Sequence, residues 1–147
     1  SSTGCWPESL HPSSKGGSSG DGHSAVASAE FLTLVRNMLL NEQKSTLHIL
    51  PFIPQDWVRG EGIVLQVRDF QTHFGPLSFS IERKSNSFKL NIEAHFHLTP
   101  KSIVFSFPYK IALYTLNGKS QSLNQSSVTL PPKTTSFAFE INETQDA

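Results

Sequence analysis

The order of apolar and polar positions changes near residue 45, and it predicts one helix before that point and strands after it. From Ser24 to about Leu40, apolar side chains recur at helical spacing, and Ser24 suits the N-cap. From Leu47 to Ile141, apolar and polar residues alternate in short runs that turn residues separate. The pattern therefore predicts a mainly β chain, with an antiparallel β-sandwich that follows one α-helix.

The strand pattern also predicts turns and a core. Asn117-Gly118 suits a type I′ hairpin turn, and Pro108 is expected to separate a strand over residues 103–107 from one over 111–116. In all, about eight or nine strands are expected. The apolar faces predict that the following residues are buried: Phe79, Ile81, Leu90, Ile92, Phe105, Leu113 and Phe139.

The predicted helix is unusually apolar. Its polar residues form only a narrow stripe, made of Glu30, Thr33, Asn37 and Asn41. A sheet covers one face of a helix, so this pattern predicts a second neighbour. We expect that neighbour to be a helix outside this sequence.

A proline turn, with Pro51 and Pro54, leads from the helical to the strand region, and Trp57 follows it. One interpretation is that the indole of Trp57 seals the boundary between two packed units, against Phe31, Val35 or Leu39 of the helix. The other is that an exposed Trp57 ring stacks on a sugar. The sequence favours the first.

Residues 1–23 are rich in Gly and Ser and have no apolar period, so an irregular arm is expected there. The arm also contains a compact mixed cluster, Trp6–Pro12, which a plain linker lacks. We therefore divide the chain into residues 1–44, the arm and helix, and residues 45–147, the β-sandwich domain.

Composition excludes several classes of function. The chain has 147 residues and no formal net charge, which gives no attraction to nucleic acid. No apolar run is long enough to span a membrane. Cys5 is the only cysteine, so no internal disulfide is possible and the compartment is not indicated. Because the sequence starts at Ser1, we expect it to be a processed or excised piece.

The strand region carries little catalytic chemistry. His95 and His97 share one strand face in the pattern, as two metal ligands would, but no third ligand is placed nearby. His73 is expected to form a hydrogen bond across a turn. The sequence also has no phosphate-binding loop. From these observations we expect neither a metal nor another cofactor.

Two segments resemble a known family. Trp6–Pro12 (WPESLHP), Gly20–His23 and the helix to Leu40 are similar to the closing segment of an (α/α) toroid glycoside hydrolase-like protein. Leu50–Trp57 (LPFIPQDW) and Gln71–Ser78 resemble the start of the antiparallel β domain that follows such toroids. The resemblance covers residues 6 to 82, and it implies that the helix is the last one of a helical toroid.

The resemblance implies a catalytic role for the arm. Glu8 matches the general base that activates water, and Trp6, His11, Asp21 and His23 would position this base or bind the sugar. Inverting hydrolysis needs a second carboxyl group roughly 6.5 to 9.5 Å away, which an upstream helix would provide. The expected partners are therefore an upstream toroid and a carbohydrate substrate, and the isolated chain is expected to be inactive. The alternative is an autonomous carbohydrate-binding or protein-interaction β-sandwich module.

Overall fold

The computed structural model describes residues 9–14, 17–19 and 24–142. The chain forms two compact units, Ser1–Met38 and Leu39–Ala147. Within the described ranges, no helix has the length and hydrophobicity needed to cross a membrane.

The first unit contains a short hairpin and a helix. Strand β1 (Ser9–Leu10) pairs antiparallel with strand β2 (Gly17–Ser19), and helix α1 follows over Ala25–Leu39. Ser24 caps the helix as predicted, because its Oγ accepts the Ala27 N–H at 3.2 Å. None of the 15 helical residues is buried.

The second unit is an eight-stranded sheet that curls into a barrel-like sandwich. Its strands are β3 (Leu40–Gln43), β4 (Thr46–Ile49), β5 (Gly62–Thr72), β6 (Gly75–Lys84), β7 (Ser87–Ala94), β8 (Ser102–Leu116), β9 (Lys119–Leu130) and β10 (Ser136–Ile141). Their order in space is β3-β4-β8-β10-β7-β6-β5, and β9 pairs with β8. All pairings except the parallel one of β4 with β8 are antiparallel. The predicted mainly β, antiparallel sandwich is confirmed.

Strand β8 pairs with different strands along its length. Ser102–Phe105 pairs with β4, whereas Ile111–Thr115 pairs with β10, and β9 runs along the other edge of both halves. The pairing with β9 is irregular between Ser106 and Ile111. Pro108 lies in this interval, and because proline has no backbone N–H, it leaves no donor unpaired there. The sequence predicts two strands here, but the structure has one strand, which continues through Pro108.

The core is apolar and rich in aromatic rings. The predicted burial is confirmed for Phe79, Ile81, Leu90, Ile92, Phe105 and Phe139. The ring centroid of Phe139 lies 4.8 to 5.4 Å from those of Phe88, Phe105, Phe107 and Phe137. Among the residues that the structure describes, no polar or charged side chain is buried. Aromatic packing therefore holds the two layers together.

The predicted burial of Leu113 is wrong, since its side chain is 37% exposed. Glu140 pairs with Leu113 and Ile141 pairs with Ile111, so β8 has one more residue than β10 in this interval. This bulge changes which side chains face inward. Tyr114, rather than Leu113, packs against the core.

Candidate functional site

The predicted catalytic arm is described only in part. Trp6, Glu8, Asp21 and His23 lie outside the described residues. His11 is exposed, and its Nδ1 accepts the backbone N–H groups of Ser13 and Ser14, each at 3.3 Å. An accepting Nδ1 leaves Nε2 as the protonated nitrogen of a neutral imidazole. Within the described part of the chain, this N–H has no hydrogen-bond partner, and the catalytic and sugar-binding roles stay predictions.

His95 and His97 do not lie in a strand, because β7 ends at Ala94. Both side chains are exposed, and the His95 Nε2 lies 3.4 Å from a carboxylate oxygen of Glu93. In the described part of the chain, no three His, Cys, Asp or Glu side chains form a group that could hold a metal ion.

The His73 ring contacts Phe74 edge-on, with centroids 5.7 Å apart. The predicted hydrogen bond across this turn is instead made by Thr72, whose hydroxyl donates to the Gly75 carbonyl at 2.6 Å. The same Thr72 oxygen accepts the Phe74 N–H at 3.1 Å. The His73 side chain is exposed, and its backbone N–H donates to the Glu42 Oε2 at 3.2 Å.

The outer face of β5, β6 and β7 contains a trough of about 350 Å³, which we call the β5–β7 trough. Its outward side chains are mostly polar, whereas the opposite face of these strands packs into the core. The polar residues that line it are Gln66, Arg68, Asp69, Ser78, Ser80, Asn91 and Glu93. These strands thus combine a buried apolar inner face with a polar concave outer surface.

A row of neutral polar side chains crosses the trough. Gln66 on β5 pairs with Ser80 on β6, Ser80 pairs with Asn91 on β7, and Asn91 pairs with Ser136 on β10. Register partners on adjacent strands project from the same face of a sheet. The row therefore presents amide and hydroxyl groups side by side. No side-chain hydrogen bond within the described residues uses the Ser80 hydroxyl or the Asn91 amide.

A β-bulge shapes one wall of the trough. Val67 pairs with Phe79 and Phe70 pairs with Leu77, so β5 has one more residue than β6 in this interval. Asp69 has a φ of 50° there, a value that is uncommon outside glycine, and its N–H donates to the Ser78 Oγ at 2.9 Å. As a result, consecutive side chains, Arg68 and Asp69, are both exposed beside the trough.

Charges at the trough are mixed. The Arg68 guanidinium donates to the Gln66 Oε1 at 3.2 Å, while Asp69 and Glu93 contribute two carboxylates. One cation beside two anions gives no field strong enough to select a polyanion.

Exposed aromatic rings occupy the loop between β4 and β5. Phe52 is 69% exposed and Trp57 is 38% exposed, whereas Leu50, Ile53 and Val58 anchor the loop in the core. The boundary-sealing role of Trp57 stays a prediction. Exposure of its ring is what the sugar-stacking interpretation requires.

The helix carries exposed apolar side chains around most of its circumference. Val26, Phe31, Leu32 and Leu34 are 66%, 41%, 67% and 58% exposed. At about 100° per residue, these four positions span an arc of about 240°. One flat surface cannot cover such an arc.

Comparison with protein-family models, curated proteins and solved structures finds no match for this chain. Sequence reasoning missed the β5–β7 trough altogether. A signal was present, since the outward positions Gln66, Ser78, Ser80 and Asn91 are neutral polar residues. The strand register that aligns three of them, and the bulge beside them, are visible only in the folded chain.

Proposed function

We propose that this chain is the C-terminal portion of a glycoside hydrolase-like, carbohydrate-active enzyme, and that its β domain supports an upstream (α/α) toroid. The exposed apolar arc of helix α1 is the observation that carries this proposal. A helix in a toroid packs against neighbouring helices on more than one side, so its apolar surface is wide. The resemblance of Trp6–Pro12 and Leu50–Trp57 to the end of a toroid and the start of its β domain supports the same assignment.

The β unit would then be a supporting domain rather than a catalytic one. Its described residues contain no buried polar or charged side chain, and they offer no metal-binding group. Inverting hydrolysis needs a pair of carboxyl groups in a pocket that excludes water from the wrong face of the sugar. In this proposal Glu8 supplies one carboxylate and the toroid supplies the other, so the chain alone hydrolyses no glycoside.

The packing of the helix is tested with Leu32→Ala in two proteins, the present chain and a protein extended upstream by its own coding sequence. In the present chain we expect a change in the free energy of unfolding within about 0.5 kcal/mol, since Leu32 is 67% exposed. In the longer protein we expect a loss of about 2 to 4 kcal/mol, because a toroid helix would bury this leucine. Chemical denaturation measures both values.

Glu30→Ala, in the predicted polar stripe, is the control, and its effect should be small in both proteins. If Leu32→Ala has the same small effect in both, the helix does not pack on an upstream domain, and the proposal fails.

The catalytic part of the proposal predicts the effect of Glu8→Gln in the longer protein. We expect kcat for glycoside hydrolysis to fall at least about 100-fold, which corresponds to about 2.7 kcal/mol, while KM stays nearly constant. The amide keeps the size of the side chain but cannot accept a proton from water. Steady-state kinetics on the two proteins provide the measurement.

Glu140→Gln is the matched control, because Glu140 is exposed on β10. Wild-type kcat in Glu8→Gln would refute the assignment of the base. A loss that appears only in KM would make Glu8 a substrate-binding residue.

A second candidate function is an autonomous carbohydrate-binding or protein-interaction module. The exposure of Phe52 and Trp57 on one loop favours it, since sugar rings stack on exposed aromatic side chains. In that case the loop between β4 and β5 would be the binding surface, and the helix would act as a linker.

A further inference from the structure

We infer that the β5–β7 trough is a binding site for a neutral oligosaccharide, and that it holds one or two sugar rings against Gln66, Ser80 and Asn91. This inference goes beyond the proposed function, because a domain that only supports a toroid needs no ligand site. It also differs from the second candidate function, in which Phe52 and Trp57 would form the binding surface.

The hydrogen-bonding groups of the trough match those of a sugar. A sugar hydroxyl both donates and accepts, and so do a serine hydroxyl and a carboxamide. Gln66, Ser80 and Asn91 place three such groups in one row across three strands. Ser80 and Asn91 are half-buried, and within the described residues their polar groups make no side-chain hydrogen bond. A ligand that brings several hydroxyl groups can satisfy them together.

The charges of the trough disfavour anionic ligands. Asp69 and Glu93 outnumber the single cation, Arg68, and the guanidinium already donates to Gln66. A phosphate or a polyanion binds where arginines or backbone N–H groups converge, and the trough has no such convergence. Neutral ligands with directional hydrogen bonds are therefore the best match.

A peptide is a poorer match than a sugar. Peptides that bind to sheets add a strand at an edge, where unpaired backbone groups are available. The trough lies on the face of the sheet, and the backbone groups of β6 and β7 beneath it pair with a strand on both sides, so an added strand would lie at the outer edge of β5, beside the row rather than across it. Side chains alone offer the contacts here, which suits a ligand with many hydroxyl groups.

The size and the local backbone also indicate a ligand site. The volume of about 350 Å³ lies at the lower end of the range for small-molecule pockets, roughly 300 to 1,000 Å³. The bulge at Arg68–Asp69 holds a non-glycine residue at a φ of 50°, which costs conformational energy. The Asp69 N–H donates to the Ser78 Oγ, so this strained wall is fixed by the strand beside it. Bulges of this kind redirect side chains next to binding sites.

The test is an NMR titration of the ¹⁵N-labelled full chain with maltotriose, cellotriose and xylotriose. We expect at least one trisaccharide to give saturable amide shifts at Ser80 and Asn91, with a Kd of about 1 mM or tighter. Asn91→Ala and Gln66→Ala should each weaken binding roughly tenfold, because each removes a hydrogen-bonding amide from the row. The dispersion of the amide spectrum shows whether each variant is folded.

The chain offers a matched control for each variant. Asn124→Ala and Gln125→Ala remove the same side chains from exposed positions on β9, and they should leave the Kd unchanged. Trp57→Ala should also leave it unchanged.

Three results would overturn the inference: no saturable shift with any of the three sugars, shifts confined to the loop with Phe52 and Trp57, or equal binding by the wild type and Asn91→Ala. The second result would favour the binding-module function instead. None of them bears on the packing of helix α1, which Leu32→Ala tests without any sugar.

Discussion

Replacing Phe139 with Ala is expected to lower the free energy of unfolding by about 3 to 5 kcal/mol. The Phe139 side chain is 2% exposed, and its ring lies against four other phenylalanine rings in the core. Strand β10 pairs with β7 on one side and with β8 on the other, so this ring lies where the two parts of the sheet meet. The cavity left by the ring cannot be filled by one neighbour alone. Urea denaturation, followed by circular dichroism and fluorescence, measures the loss.

Leu113→Ala is the control for this prediction, because it also shortens an apolar side chain in the sheet. Since Leu113 is 37% exposed, we expect it to cost less than about 1 kcal/mol. If Phe139→Ala were as mild as Leu113→Ala, the inner and outer faces of β10 would be reversed.

Gly75→Ala should be about as damaging, with an expected loss of about 3 to 5 kcal/mol. Gly75 has a φ of 129°, and a Cβ added there would lie 2.5 Å from the backbone oxygen of His95. That oxygen cannot move away easily, since the flanking backbone is held by hydrogen bonds from His95 N to Pro76 O and from His97 N to Phe74 O, each 2.9 Å long. Backbone strain and steric overlap therefore act together. Thermal or urea denaturation measures the effect.

Two other glycines separate these causes. Gly62 has a φ of 79° with nothing within 4 Å of an added Cβ, so Gly62→Ala should show the strain alone, about 1 to 2 kcal/mol. At Gly60 the nearest atom is the Val64 Cγ1 at 3.6 Å, an ordinary contact, and Gly60→Ala should be nearly neutral. Equal losses at Gly75 and Gly62 would show that the overlap with His95 is relieved by movement.

Local patterns in the sequence predicted local structure well. Ser24 caps the helix, and the turn at Asn117-Gly118 has positive φ values of 52° and 76°, as a type I′ turn requires. Both depend on the preferences of a few adjacent residues. The alternation in β6 and β7 also identified their inner faces, because the period of a strand is the same whichever strand lies beside it.

Features that depend on pairing could not be predicted in this way. The parallel contact of β4 with β8, and the bulge opposite β10 that turns Leu113 outward, arise from strands that are not adjacent in sequence. The helical spacing of apolar residues continues to Leu40, so the sequence does not reveal strand β3, which is defined by its pairing with β4. The β5–β7 trough could not be predicted for the same reason, because no pattern along one strand reveals that Gln66, Ser80 and Asn91 are neighbours.

The parallel pairing of β4 with β8 also has a consequence for how the domain folds. Strands β5, β6 and β7 follow one another through short turns, so they can associate while little of the chain is ordered. Thr46 and Ser102, whose hydroxyl oxygens lie 3.3 Å apart, are separated by 56 residues. Closing so long a loop costs more chain entropy than forming a hairpin. We therefore expect the β3–β4 pair to join β8 late in folding, after the sequential β5–β7 hairpins have formed.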